Sequence, residues 1–356
     1  MILKNKKTFI IAEAGVNHNG SLKRAIKMVH TAKKIGADAI KFQHFTADQL
    51  VTKKAKKAPY QIKNTKNSGS QYKMLKKLEL REKDYFEIKK ICKKIKIQFI
   101  SSAFDEQSVD FLKKKLKEKI IKIPSGEITN FFLLKRLNFN KSKIFLSTGM
   151  STYQEIADAI NLISKKKLFK IKNDRVYILN KKLHKKIHSK LVILHCVTDY
   201  PVLDEYANLL CISKMREDFQ LPIGYSDHTN GLTAALAAVV YGSEVIEKHF
   251  TLNKKLPGPD HKASLDPKEF SKMVFRIREF ERMRGTGKKT LQKCEKKNVI
   301  IARKSLLAKE FIKKGEIIKI EKLVCKRPAN GLSPMSIKYL LNKKAKKNYK
   351  KDDLIT

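Results

Sequence analysis

Eight short runs of apolar, β-branched-rich sequence recur along the first 250 residues, and no other feature of the chain restricts its fold as much. They are TFIIAEAG (8–15), DAIKFQ (38–43), IQFISSAF (97–104), IIKIPS (120–125), KIFLSTGM (143–150), LVILHCVT (191–198), LPIGYSDH (221–228) and EVIEKHF (244–250). Each has the length of one strand, and such near-continuous apolar character suits strands covered on both faces by helices. The stretches between them read as helices. In SLKRAIKMVHTAKKIG, Leu22, Ile26, Val29 and Ala32 recur at helical spacing, and Gly36 follows as a C-cap. TAALAAVVYG (233–242) is apolar nearly all round and is expected to be buried. Eight strand-then-helix units in about 285 residues predict an α/β fold, a (β/α)8 TIM barrel. The competing open, doubly wound sheet has fewer strands and a glycine-rich dinucleotide loop, and the chain contains no GxGxxG.

Past residue 284 the texture changes. Residues 285–297 (GTGKKTLQKCEKK) read as a polar linker, and 298–356 alternate short strands with Gly and Pro turns, the pattern of a small, mostly β module. The barrel domain is therefore expected over 1–284. A lysine-rich stretch at 163–190 is longer than an ordinary barrel connection and is expected to make a surface excursion with a small strand at RVYIL. No run of about 18 apolar residues occurs, which argues against a membrane span. MILKNKKTFIIAEAG carries Glu13 and runs directly into patterned sequence, so it is read as the first strand rather than a signal peptide. The five scattered cysteines (Cys92, Cys196, Cys211, Cys294, Cys325) show no CxxC spacing, which points to a reducing cytoplasm.

The formal charge of +45 invites a nucleic-acid reading. Two features argue against it. Lysine far outnumbers arginine, whose fork is the usual reader of bases and phosphates. The lysines also spread over the whole chain, as in KKAKK (53–57), KKKLKEK (113–119) and NKKAKKNYKK (342–351). Solvated surface lysine accounts for this better than a nucleic-acid or membrane partner, and the excess charge would help attract an anionic substrate.

In a barrel, chemistry gathers at the C-terminal ends of the strands. Polar residues accumulate there in all eight runs: Glu13; Lys41 and Gln43; Ser101 and Ser102; Lys122, Ser125 and Glu127; Ser147 and Thr148; Thr198, Asp199 and Tyr200; Ser226, Asp227 and His228; Glu247, Lys248 and His249. His228 and His249 end neighbouring strands, so their imidazoles can converge on one divalent ion; the alternative is that each satisfies a core hydrogen bond. Two histidines with oxygen ligands suit manganese better than structural zinc. Lys41 and Lys122 lie in apolar strands, where a cation needs an anionic partner. With Ser102, Ser125, Ser147 and Ser226 they form a set of cations and donors suited to a phosphate and a carboxylate. Glu13 and Glu127 can transfer protons, hold sugar hydroxyls or serve as counter-ions to the lysines.

The motifs IAEAGVNHNG, IKFQ, YQIKNT, KIPSGE, LSTGM, HCVTDYP, YSDHT, EKHFTL, GPDHKAS, RKSL and KRPANG, in this order from residue 8 to the C-terminus, resemble the sialic acid synthase family, which includes the legionaminate and pseudaminate synthases. That resemblance implies a barrel followed by an antifreeze-like (SAF) domain exchanged across a homodimer. It also implies condensation of phosphoenolpyruvate with N-acetylmannosamine or a close N-acyl sugar, with release of phosphate. The alternative acceptor is 2,4-diacetamido-2,4,6-trideoxymannose, used by the N,N'-diacetyllegionaminate synthases. The family uses a divalent metal, typically manganese, with magnesium or cobalt as substitutes, and its metal-binding histidines fall on His228 and His249. Its phosphoenolpyruvate contacts fall on Lys41, Ser102, Lys122, Ser125, Ser147, Thr198 and Ser226, and its sugar and catalytic contacts on Glu13, Gln43, Glu127, Tyr200 and Asp260. An arginine given by the SAF domain to the partner's site falls on Arg327, which argues against a sister enzyme acting on an unacylated sugar phosphate. Three departures stand out: Thr198 where many members have Asn, SSAF in place of STPF, and the insert at 163–190.

Overall fold

A computed structural model describes residues 7–356; residues 1–6, part of the segment read as the first strand, lie outside it. Two compact units divide between Thr286 and Gly287. The strands of the first unit are β1 (Phe9–Gly15), β2 (Ala39–His44), β3 (Gln98–Ala103), β4 (Ile120–Ile123), β5 (Lys143–Ser147), β6 (Phe169–Lys172), β7 (Arg175–Ile178), β8 (Leu191–His195), β9 (Ile223–Asp227) and β10 (Val245–His249). Eight of them close a barrel in the order β1-β10-β9-β8-β5-β4-β3-β2, every pair parallel. These are the eight runs seen in the sequence.

Side chains alternate along a strand, so each run sends every second residue into the barrel. At the lower level these are apolar: Ile11, Ala39, Ile100, Phe145, Val192, Leu194 and Val245 pack into one buried cluster, with Ile120 against it. Two residues further along β1, β2, β3, β4, β5 and β10 stand Glu13, Lys41, Ser102, Lys122, Ser147 and Glu247, all buried. The barrel thus has an apolar plug below and a polar layer directly above it.

Around the barrel the helices bury one face each. Leu22–Lys34 starts at Ser21, whose hydroxyl accepts from Arg24 N at 3.3 Å, and buries Ala25, Met28, Val29 and Ala32. Gly36 follows at φ +85°, the left-handed position that glycine takes at a helix end. Pro267–Met283 opens with a capping box between Asp266 and Glu269. The Thr233–Val240 helix departs from expectation. Only Ala235, Ala238 and Val239 are buried, and Val240 is 52% exposed. It lies in the outer ring like the others, and its small alanines place little apolar area in solvent.

The 163–190 insert consists of the end of the Tyr153–Ser164 helix, an antiparallel hairpin of β6 and β7, and the Lys181–Ile187 helix. The strand expected at RVYIL is β7. Asn173 and Asp174 make the hairpin turn at φ 49° and 56°, the pairing a tight two-residue turn requires. Among the described residues, no helix is long and apolar enough to cross a membrane.

The second unit, Gly287–Thr356, pairs β11 (Ser305–Ala308) with β12 (Leu323–Lys326). Single bridges join Leu307 to Leu354, Ile312 to Tyr349 and Ile317 to Lys344. Ala308, Ile312, Ile318, Ala345, Tyr349 and Ile355 form its own small core. The residues expected as a linker are only partly irregular. Gln292 N donates to Glu295 Oε2 at 2.7 Å, closing a turn that leads into the Lys296–Ala302 helix.

Candidate active site

A cavity of about 330 Å³ opens at the C-terminal end of the barrel. Fourteen of the fifteen residues given a site role from the sequence line it: Glu13, Lys41, Gln43, Ser102, Lys122, Ser125, Glu127, Ser147, Thr198, Tyr200, Ser226, His228, His249 and Asp260. The fifteenth, Arg327, belongs to the second unit, where its Nε–H donates to the Ala302 carbonyl at 2.8 Å.

The floor is an ionic cluster. Lys122 Nζ lies 2.8 and 3.1 Å from the two oxygens of Glu247, and Lys41 Nζ lies 2.8 Å from Glu13 Oε2 and 3.7 Å from Glu247 Oε1. Lys41 also donates to Ser102 Oγ at 3.0 Å, Ser226 Oγ donates to Glu247 at 3.0 Å, and Gln43 Nε2 donates to Glu13 Oε1 at 3.1 Å. Burial alone would discharge such groups, and the pairing decides which stay charged. Burial opposes ionisation of Glu247, yet Lys122 and Lys41 outweigh it and hold its pKa at about 2. Lys41 is likewise desolvated, but Glu13 and Glu247 raise its pKa overall. In Lys122 desolvation wins and the pKa falls, with Lys41 adding repulsion. Glu13 is pushed upward by burial, despite Lys41.

Glu247 is the residue that sequence reading left without a role. It stands at a strand end in the sequence, but its part as the shared counter-ion of both lysines follows only from closure of the barrel.

Above the floor sit the aromatic and imidazole groups. The Tyr200 ring lies 4.3 Å from that of His228, 5.0 Å from Tyr60 and 5.6 Å from His249, centroid to centroid. The two imidazoles are 5.7 Å apart. His228 Nδ1–H donates to the Val197 carbonyl at 2.6 Å, which leaves Nε2 as the nitrogen with a free lone pair. His249 Nδ1 is buried without a hydrogen-bond partner. Burial lowers the pKa of His228 to about 4 and that of His249 well below the usual imidazole value, so both rings are neutral, the form that ligates metals. Two neutral imidazoles, one with its other nitrogen anchored and one with an orphaned nitrogen, fit a divalent cation. Among the described residues no group of three or more His, Cys, Asp or Glu side chains could hold a metal alone, so such an ion would take its other ligands from substrate and water.

Two hydroxyls at the cavity, Ser147 Oγ and Thr198 Oγ1, are buried and unpartnered. A buried donor left unmade costs about 1–3 kcal/mol, so both are poised for an incoming acceptor. Gly149 lies beside them, and a side chain there would collide with the Thr198 hydroxyl. Its N–H donates to Ser125 Oγ at 3.0 Å and to Cys196 Sγ at 3.1 Å. Glu127, whose pKa burial raises, accepts from Asn130 at 2.7 Å.

One wall differs from the rest. Val16, Phe45, Leu75 and Leu78, with Leu50, Val51, Met74 and Phe104 packed against them, form a satellite apolar cluster, and all eight line the cavity. Most of them come from the long β2–β3 connection and its short helices Ala47–Leu50, Pro59–Thr65 and Gln71–Leu78. The sequence reading did not anticipate this wall.

Comparison with known proteins identifies the family of the chain. The NeuB family model matches residues 28–289 and the SAF domain model residues 303–356. The chain is 47% identical to an N,N'-diacetyllegionaminic acid synthase of Campylobacter jejuni, over 98% of this chain and 99% of that protein. It is 42% identical to an N,N'-diacetyllegionaminic acid synthase of Legionella pneumophila, over 96% of this chain and 91% of that one. Among solved structures it resembles the N-acetylneuraminic acid synthetase of Leptospira borgpetersenii, with a TM-score of 0.67 and 31% identity over 83% of this chain and 91% of that one.

Proposed function

The chain belongs to the NeuB family, and from that premise we propose that it condenses phosphoenolpyruvate with 2,4-diacetamido-2,4,6-trideoxymannose, giving a nine-carbon diacetamido acid and phosphate. The observation that carries the reading is the pair of buried lysines, Lys41 and Lys122, set among hydroxyls beside two neutral imidazoles in one cavity. A small, multiply charged anion needs the first part, and an aldehyde acceptor the second.

Lys41 and Lys122, with Ser102, Ser125, Ser147, Thr198 and Ser226, hold the phosphate and carboxylate of phosphoenolpyruvate and stabilise charge that develops on the leaving phosphate. His228 and His249 would hold a divalent ion, manganese by preference, with magnesium or cobalt as substitutes. When bound, it supplies Lewis-acid polarisation of the sugar aldehyde. C3 of phosphoenolpyruvate forms the new bond to the aldehyde carbon, whose oxygen takes up a proton. Water then adds at C2 and the C2–O bond to phosphate breaks, so carbon, oxygen and charge balance. Glu13, Glu127 and Asp260 are the groups placed to exchange those protons, and Gln43 and Tyr200 orient the sugar.

The apolar wall favours the trideoxy acceptor over N-acetylmannosamine, the sugar first expected. The former presents a C6 methyl and two acetamido methyls, the latter one acetamido methyl and more hydroxyls. Relatives at 47% and 42% identity that carry the diacetyllegionaminic acid synthase name support the same choice. The protein works in the cytoplasm as a homodimer, with Arg327 of the SAF domain reaching the partner's cavity. Exposed Phe131, Phe132, Met150, Leu203 and Tyr206, from segments following β4, β5 and β8, support a covering partner at this end of the barrel.

The test is phosphate release from phosphoenolpyruvate with each sugar in parallel, with and without manganese. Metal-dependent release, faster by about tenfold with the trideoxy sugar, is the expected result. Faster release with N-acetylmannosamine would reverse the acceptor assignment, and release with neither would refute the reaction.

A further inference from the structure

His228 and His249 each have a neighbour in sequence that points the other way. Ser226 and His228 turn into the cavity while Asp227 turns outward; Glu247 and His249 turn in while Lys248 turns outward. Asp227 and Lys248 are direct partners in the β9–β10 register. Their side chains have no exposed surface, and Lys248 Nζ lies 2.7 Å from Asp227 Oδ2. Lys248 also donates to the Thr229 carbonyl at 2.6 Å. Asp227 Oδ1 accepts from Thr229 N at 2.9 Å and from Thr229 Oγ1 at 2.7 Å. Three residues on two strand ends thus close a fully buried polar loop, and none of them lines the cavity.

A buried ion pair is a poor source of stability, because apolar residues of similar size serve a core as well or better. What this one does supply is position. His228 is held between Asp227 and Thr229, both tied to Lys248, and His249 follows Lys248 directly. The separation of the two imidazoles is therefore set by a bond on the opposite face of the sheet. We propose that Asp227, Thr229 and Lys248 are positioning residues that hold His228 and His249 at a metal-binding spacing. This rests on the reading of the histidine pair as a metal site. It makes the outer face of β9 and β10 part of that site without touching ion or substrate.

The experiment uses the full-length protein without substrate. Manganese affinity is measured from the free-ion EPR signal, alongside thermal unfolding, for the parent, for Asp227→Leu/Lys248→Met together, and for Thr229→Val. The double variant is expected to unfold within about 5 °C of the parent, yet to bind manganese at least about tenfold more weakly, as loss of outer-shell support does elsewhere. Thr229→Val, which removes one hydroxyl at nearly constant shape, is expected to weaken binding about threefold. A folded double variant with parental affinity overturns the proposal. Should the double variant not fold, parental affinity in Thr229→Val overturns it. A parent that binds no manganese sinks the metal reading, and the positioning role with it.

Discussion

Asp260 carries the group whose charge is most finely balanced near neutrality. Burial, with the negative charge of Glu13 adding to it, pushes its carboxyl up to about 7. Below that pH it is a neutral acid able to donate a hydrogen bond; above it, it adds a further negative charge to a cavity that already holds Glu13 and Glu247. If the acid form contacts the acceptor, the acceptor KM should rise as pH climbs through 7, about fivefold between pH 6 and 8. Asp260→Asn keeps the donor and has nothing to titrate, so its KM profile should lose that inflection. Initial-rate kinetics across the range decides it, and an unchanged inflection in the Asn variant would assign the titration to another group. Residues of this kind mark the limit of sequence reading. Lys41, Lys122, His228 and His249 were legible because polar groups at the ends of apolar strands stand out. Asp260 sits in a loop with no periodicity and was reached through resemblance alone. The role of Glu247 was hidden for another reason: its partner Lys122 is 125 positions away, on a strand diametrically across the barrel, and pairing across a barrel leaves no local pattern.

At the scale of elements, the strands were readable because two-sided burial writes a continuous apolar run. The first three helices of the β2–β3 connection, Ala47–Leu50, Pro59–Thr65 and Gln71–Leu78, were not, since each spans only about one or two turns, too short for a 3.6-residue period to show. Yet that connection supplies most of the cavity's apolar wall. Val51 and Met74 are among its partly exposed members, and they can be made polar with little change of shape. Val51→Thr and Met74→Gln should each lower kcat/KM for the trideoxy acceptor about 5- to 30-fold while changing that for N-acetylmannosamine by less than about threefold. Equal losses with both sugars would show that the wall shapes the cavity without selecting the acceptor. The Thr233–Val240 helix teaches the converse: an apolar composition read as full burial, but alanine leaves too little surface for composition to say which side faces water.

For the molecule as a whole, the net charge of +45 acts on encounter more than on the bound state. One substrate is an anion and the other neutral. Raising salt from about 0.05 to 0.5 M shortens the screening length from roughly 14 to 4 Å, so kcat/KM for phosphoenolpyruvate should fall several-fold. The acceptor's value should stay within about twofold, and stopped-time phosphate assays at fixed pH separate the two. A parallel fall for both would point to a salt effect on the fold rather than on steering. The β6–β7 hairpin lies at the C-terminal end of a helix that runs antiparallel to the strands, hence level with the strand starts and away from the mouth. Its Asn173–Asp174 tip is flanked by Lys172 and Arg175 and stands outside the barrel's hydrogen bonding. A fluorophore, an affinity peptide or an anionic support attached at that turn would therefore leave the mouth of the barrel unobstructed, giving the chain a built-in point of attachment for immobilised synthesis.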